Sequence, residues 1–271
     1  GGPLDGLTDE PFRRVSRMFC TRSLHYTEIR HVAALAKMPL HKMYQCTSTR
    51  PLNVQMTASS TEYIEQACER IQEIGTDCID INIGCPAPHI IKSGAGSALM
   101  ADMHRLKHIV QKFRACSKVP LTVKMRAGFK EVNAYDIAVC LQDLGVDAIA
   151  VHPRLQKQKF RGVPDYSLLT TIKQRLTIPV LVSGGIVDWQ SAHAVYEQTG
   201  VDGFLIGRGQ LGRPWILHQL TEHSHDIDYK PGAETIGRTI IEHEQLLEVY
   251  PGIKGLPLAK RHNGFYVKCK Q

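Results

Sequence analysis

Apolar and polar positions along this chain follow two alternating rhythms. Short, mostly apolar runs lie at Leu24–Ile29, Leu52–Met56, Cys78–Ile83, Leu121–Met125, Ala148–His152, Val180–Ser183 and Gly203–Ile206. Unbroken apolarity of that length predicts strands buried on both faces of a parallel sheet. Between them the period lengthens. Ile64, Ala67, Cys68, Ile71 and Ile74 fall at helical spacing within 61–74. Met103, Leu106, Ile109, Val110 and Phe113 repeat that spacing within 103–116, as do Ala134, Ile137, Ala138, Leu141 and Leu144 within 133–144. Gly75 and Gly145 follow two of these helices where a left-handed cap belongs.

Seven strands alternating with helices, with Pro3–Gly6 as an eighth, give the arithmetic of an α/β (β/α)8 TIM barrel. A doubly wound open sheet is the alternative. After Trp215 the strand signals stop, and 234–249 reads as a helix with Ile236, Ile240, Ile241 and Leu247 on one face. The expected division is a barrel domain over 1–225 and the start of a helical appendage over 226–271.

The chain of 271 residues carries 33 Lys and Arg against 26 Asp and Glu, so a polyanionic partner is weakly favoured. Its apolar runs fall far short of the ~20 residues of a membrane span, and no membrane association is expected. The opening Gly-Gly-Pro-Leu-Asp-Gly has no basic start followed by an apolar stretch, so no secretory leader is read here. No two of the eight cysteines are two residues apart, which suggests reduced thiols in the cytoplasm. Among 13 histidines there is no His-Glu-x-x-His or comparable ligand motif, and none is expected to hold a metal; His223 and His225 read as solvated.

The candidate chemistry lies at the strand ends. Gln55, Asn82, Cys85, Lys124, His152, Arg154, Ser183 and Arg208 all end or follow strands, where barrel enzymes place their pockets. Ser183-Gly184-Gly185 and Gly207-Arg208-Gly209 follow the last two strands, the usual place for a phosphate; two tight turns are the plainer alternative. Gly207-x-Gly209-x-x-Gly212 also fits a dinucleotide fingerprint, but no further strand with a terminal acid follows it. Cys85, between Gly84 and Pro86, sits in a rigid loop; a buried packing role is its alternative. The glycines of Lys92–Ser97 suggest a mobile flap or simple turns.

These segments resemble the tRNA-dihydrouridine synthases. The resemblance rests on Pro3-Leu4-Asp5-Gly6-Leu7-Thr8-Asp9, Val54-Gln55, Asp80 to Pro86, Gly94 to Leu99, Val123 to Gly128, Val151 to Arg154 and Ile206 to Gly209, in the family's order over 1–215. Leu258 to Tyr266 resembles part of the family's helical domain. Two departures are Gly2-Pro3-Leu4 for the usual Ala-Pro-Met, and Ser183 for the usual Asn.

The resemblance implies an FMN enzyme that reduces the C5–C6 bond of uridine in tRNA, with NADPH as reductant. It implies that Pro3, Leu4, Asp5, Gln55, Lys124, His152, Ser183, Gly184, Gly185, Gly207 and Arg208 hold the flavin. Cys85 would protonate C5, and Asn82 and Arg154 would hold the uracil carbonyls. Lys260 and Arg261 would meet tRNA phosphates. A monomer is expected. Two alternatives remain: a flavin barrel acting on a small molecule, as a dihydroorotate dehydrogenase does, and a non-catalytic RNA-binding relative.

Overall fold

The computed structural model describes residues 1–221, 229–250, 262 and 264–266. Its strands are β1 (His25–Tyr26), β2 (Arg30–His31), β3 (Leu52–Thr57), β4 (Cys78–Asn82), β5 (Leu121–Gly128), β6 (Ala148–Leu155), β7 (Val180–Ser183) and β8 (Gly203–Leu205). All pairings are parallel, and from β3 to β8 they run in sequence order, as in a TIM barrel.

The helices are α1 (Glu10–Phe19), α2 (Val32–Lys37), α3 (Leu40–Thr47), α4 (Ile64–Glu73), α5 (Pro88–Lys92) and α6 (Met103–Cys116). There follow α7 (Ala134–Asp143), α8 (Ser167–Arg175), α9 (Trp189–Thr199), α10 (Ile216–Thr221) and α11 (Ala233–Val249).

The period-two pleat sorts each strand into two environments. Ile79, Ile81, Val123, Met125, Ile149, Val151, Val180 and Val182 face the helices and join one large core. There they meet Ile64, Ala67, Cys68 and Ile71 of α4, Leu106, Ile109, Val110 and Phe113 of α6, and Ala134, Ile137, Ala138 and Leu141 of α7. Each large side chain buried this way contributes about 1.5–3 kcal/mol. The alternate strand positions point into the barrel. A small cluster of Tyr26, Ala150 and Leu205, with Leu24 and Leu181 packed on it, fills one level, and Asn53, Gln55, Asp80, Asn82 and Thr122 are buried polar residues of the inward face.

Two strand expectations change. Leu24–Ile29 is broken, because the Thr27 hydroxyl takes the Gln55 N–H (2.9 Å) in place of a backbone carbonyl. Of that run only β1 remains; β2 lies just past it, and both pair with β3. Pro3–Gly6 is a turn rather than the eighth strand; Leu7 and Thr8 both donate to the Leu4 carbonyl at 3.0 Å. The eighth place in the barrel belongs to Gly1 and Gly2. Gly2 donates to Ile206 (2.7 Å), Tyr26 donates to the Gly1 carbonyl (3.0 Å) and Gly1 donates to Leu24 (2.8 Å), so β8 is joined to β1. A Cβ on Gly2 would lie 2.9 Å from the Ile206 carbonyl oxygen, which leaves room only for glycine.

The helix α11 packs on α1, with the Arg14 guanidinium 4.5 Å from the centre of the Tyr250 ring. Its buried face is Ile236, Thr239 and His243, while Ile241 is 57% exposed, so the expected apolar stripe is rotated. The expected domain boundary at 225/226, His223 and His225 lie outside the described residues.

Candidate active site

The C-terminal ends of the strands and the turn at Pro3–Leu7 open onto a cleft of about 940 Å³. Register decides what lines it. Gln55 lies beside Asp80, Asn82 beside Lys124, and Arg126 beside His152 on neighbouring strands.

A chain of polar side chains rises through the barrel to this cleft. Asn53 Nδ2 donates to Thr122 Oγ1 (2.9 Å), and Thr122 Oγ1 donates to Asp80 Oδ1 (2.6 Å). Gln55 Nε2 donates to Asp80 Oδ2 (2.7 Å), and Asn82 Nδ2 donates to Gln55 Oε1 (2.9 Å). Asn82 Oδ1 then accepts the backbone N–H groups of Gly84 (3.0 Å) and Cys85 (2.8 Å). Burial raises Asp80 to about 6. Lys124 is lowered to about 8, by burial first and then by Arg126, with Asp80 and Cys85 opposing.

The loop at Cys85 is held from both sides. Arg126 Nε donates to the Gly84 carbonyl at 2.7 Å. The Cys85 carbonyl accepts from the Ser97 backbone N–H (3.1 Å) and hydroxyl (2.9 Å). Gly96 approaches so closely that its Cβ would lie 2.9 Å from that same oxygen. Gly96–Ala101 is therefore a largely buried 3-10 turn against the cysteine loop, so the end of the Lys92–Ser97 segment is packed inside, and none of its residues lines the cleft. Burial raises the Cys85 thiol above its ordinary value, against the pull of Lys124 and Arg126. At neutral pH Cys85 is a thiol, suited to giving a proton rather than attacking as a thiolate.

Another part of the cleft is edged by glycines and cationic side chains. Gly184 and Gly185 have φ of +96° and +85°, and a Cβ on Gly184 would lie 2.6 Å from the His152 ring. Ser183, Gly184, Gly185, Gly207 and Arg208 all line the wall there, as does His152. Its imidazole is pushed down to about 2, by burial first and then by Lys124, Arg126, Arg154 and Arg208. Arg154 Nη1 contacts His152 Nε2 at 3.0 Å; a guanidinium can only donate, so the ring proton sits on Nδ1. Pro3, Leu4 and Asp5 also line the cleft, with Leu4 beside Gly207. Their turn is fixed by Gly6 donating to Glu28 (2.5 Å), while Arg30 pairs with Glu28 at 3.0 Å and Asp5 at 3.5 Å. Among the described lining residues Asp5 is the one carboxylate, against Lys124, Arg126, Lys159 and Arg208.

One expected residue stands apart. Arg154 is behind His152, with Nε and Nη2 donating to the Gly162 carbonyl at 3.1 and 2.6 Å. Lys260 and Arg261 lie outside the described residues. Conversely, the site includes Arg126, Phe160 and Phe265, none of them singled out as site residues. Arg126 was within reach of the pattern, two residues beyond Lys124 on one strand and so on the same face. Phe160 arrives on an aperiodic loop, its ring 4.7 Å from the Arg208 guanidinium carbon and 5.8 Å from that of Arg126. Phe265 comes from the C-terminal helical segment, which rests on Gly212.

Among the described residues no helix is long and apolar enough to cross a membrane. The dihydrouridine synthase family model matches residues 2–269. A probable tRNA-dihydrouridine synthase 1 of Synechocystis sp. is 33% identical over 98% of this chain and 77% of its own length. The tRNA-dihydrouridine synthases B of Pseudomonas putida and Shewanella oneidensis are 31% and 32% identical, over 99% and 98% of this chain and 82% and 84% of their own lengths. With a parallel barrel, a cysteine loop and a cationic cleft at the strand ends, the chain belongs to the dihydrouridine synthase family of enzymes.

Proposed function

We propose that this enzyme reduces the C5–C6 double bond of uridine within tRNA, with FMN held in the cleft and NADPH as the external reductant. One observation carries the reading: a cysteine kept as a thiol shares a glycine-edged, cationic cleft with a half-buried lysine. The residues present fit FMN. At Gly184 the His152 ring, and at Gly185 the Tyr166 hydroxyl, takes the place of a Cβ, so both positions need glycine and present bare backbone to the cleft. With Gly207, Ser183 and Arg208 it suits the phosphate end. Gln55 and Lys124 suit the pyrimidine edge of the flavin, and Pro3, Leu4 and Asp5 line the same cleft.

When bound, the flavin supplies the hydride that adds at uracil C6. Cys85 delivers the proton that C5 then requires, and its raised pKa keeps that proton in place until it is needed. Lys124 offsets negative charge beside the ring system. Asn82 has one amide N–H left for a uracil carbonyl, both lone pairs of Oδ1 being used by the loop. Arg154 can serve the same carbonyls by releasing Gly162. A uridine stacked in folded tRNA must be turned out to enter, and phosphate contacts elsewhere offset that cost. The compartment we propose is the cytoplasm, where free thiols such as Cys85 stay reduced.

The test is reduction of unmodified tRNA transcript by purified protein with NADPH, with dihydrouridine mapped by mass, and the absorbance of flavin released by heat. A colourless protein that FMN cannot reconstitute would overturn the cofactor reading. Reduction of free pyrimidines with tRNA left untouched would overturn the substrate.

A further inference from the structure

Away from the cleft, the chain brings together three buried groups from distant places in sequence. Asp9 is the N-cap of α1, His243 lies on the buried face of α11, and His262 belongs to the C-terminal helical segment. All three are at least 95% buried, at 5%, 2% and 1% exposure. One carboxylate oxygen and one nitrogen from each imidazole lie within 4.8 Å of one another.

The hydrogen bonding of the group divides its atoms into supports and orphans. Asp9 Oδ1 accepts the Phe12 N–H at 3.1 Å, as a cap should. Asp9 Oδ2 is buried with no hydrogen-bond partner. The same holds for His243 Nε2, whereas His243 Nδ1 is 3.2 Å from the Tyr266 hydroxyl. Orphaned buried polar atoms cost about 1–3 kcal/mol each, so a pair at one point calls for a partner. The His262 ring is stacked on Phe12 at 5.2 Å and tilted against His243 at 4.6 Å, which fixes its plane.

We propose that Asp9, His243 and His262 form a structural site for a divalent zinc ion that joins the helical appendage to the barrel. Two imidazoles and a carboxylate oxygen are a zinc donor set, with bonds of about 2.0–2.2 Å and a fourth position for water. Ligand atoms around such an ion are roughly 3.4 Å apart, so shifts of about 1 Å complete the set from the positions observed. The contact from Tyr266 to His243 Nδ1 is the outer-shell hydrogen bond that turns Nε2 toward an ion. The ion would tie α1, and through it the turn at Pro3–Leu7, to α11 and the segment carrying Phe265. The expectation of no metal rested on close spacing in sequence, which cannot register residues 9, 243 and 262.

The test uses the full chain. Protein stripped with EDTA and dialysed is titrated with zinc alone in competition with a chromophoric chelator, and its melting temperature is followed. One tight zinc per chain is expected, with a rise of about 5 °C or more at saturating zinc. His243→Gln should weaken binding about 100-fold and abolish the rise. Asp9→Asn keeps a good cap and should weaken binding in the same sense. Cobalt added to the stripped parent should give visible bands of a tetrahedral nitrogen and oxygen site, a readout that survives if a variant fails to fold. The exposed His104 and His108, with rings 4.3 Å apart on α6, are the competing surface site. His104→Ala with His108→Ala should bind zinc as the parent does. No tight zinc in the parent, no cobalt bands, or loss of zinc in the surface double variant would each overturn the proposal.

Discussion

The side-chain oxygen of Asn82 accepts the backbone N–H of Cys85 at 2.8 Å, so the end of β4 directly sets the position of the cysteine loop. Asn82→Ala leaves the Gly84 and Cys85 N–H groups and Gln55 Oε1 without their partner. A fall of about 1–3 kcal/mol in stability is expected by urea unfolding. The rate of uridine reduction should fall further than the remaining folded fraction explains. Parental rate per folded molecule would refute a positioning role for Asn82.

Cys85→Ala should keep flavin binding and flavin reduction by NADPH but slow uridine reduction on the order of 10²-fold. Cys140→Ala, on the half-buried flank of α7, should leave that rate nearly unchanged. The raised thiol pKa gives a sign: an acid must be protonated, so the rate holds through neutral pH and falls once pH passes the thiol's ordinary range. A single-turnover pH profile checks this, and a rate that climbs at alkaline pH would contradict it.

Gly184→Ala places a Cβ 2.6 Å from the His152 ring at a φ of +96°, and should abolish flavin retention. Gly200→Ala is the control. Its φ is also positive, at +64°, but nothing lies within 4 Å of the added carbon, so stability falls by about 1 kcal/mol and flavin stays. Flavin absorbance after gel filtration separates the two outcomes.

Lys124 is held at about 8, below its unfolded value near 10.4. Between those values the unfolded chain binds more protons, so this side chain contributes a penalty at and below pH 8 that is relieved as pH rises toward 10.4. In flavin-free protein Lys124→Met should therefore be more stable than the parent at pH 7, by roughly 1–2 kcal/mol for a half-buried ammonium, and the gap should close toward pH 10. Denaturant midpoints at the two pH values measure it; a gap that widens with pH would reverse the assignment.

For tRNA, binding should weaken steeply with salt. Changing Lys260 and Arg261 together to Ala should reduce the log–log slope by about 1 for each phosphate that these side chains neutralise, with the flavin spectrum unaltered. An unchanged slope would move the RNA footprint to the barrel face.

The strand and helix order was legible because periods of two and 3.6 report burial directly. Ile79, Ile81, Val123 and Met125 alternate with Asp80, Asn82, Lys124 and Arg126, and that alternation already separates core from cleft. Arg154 follows the same parity, yet a carbonyl on a loop, Gly162, draws it aside, and loops carry no period. Thr27 broke its strand through a side-chain hydrogen bond, a competition that apolar runs cannot show. Gly1 and Gly2 offered no side chain to read, though their backbone completes the barrel.

The row of amides beneath the cleft also has a direction, and Asp80 sets it. As a carboxylate it can only accept, so Gln55 must turn its nitrogen down and its oxygen up. Asn82 must then spend its nitrogen on Gln55 and leave its oxygen for the cysteine loop. The orientation at the reactive end is thus inherited, one residue at a time, from an ionisable group at the far end that never meets substrate. Give Asp80 a donor of its own, by protonation or as Asp80→Asn, and Gln55 is free to turn over, while the loop N–H groups still hold the Asn82 oxygen. A turned Gln55 would set its nitrogen against the Asn82 nitrogen, and the Cys85 loop would lose its link to the barrel floor.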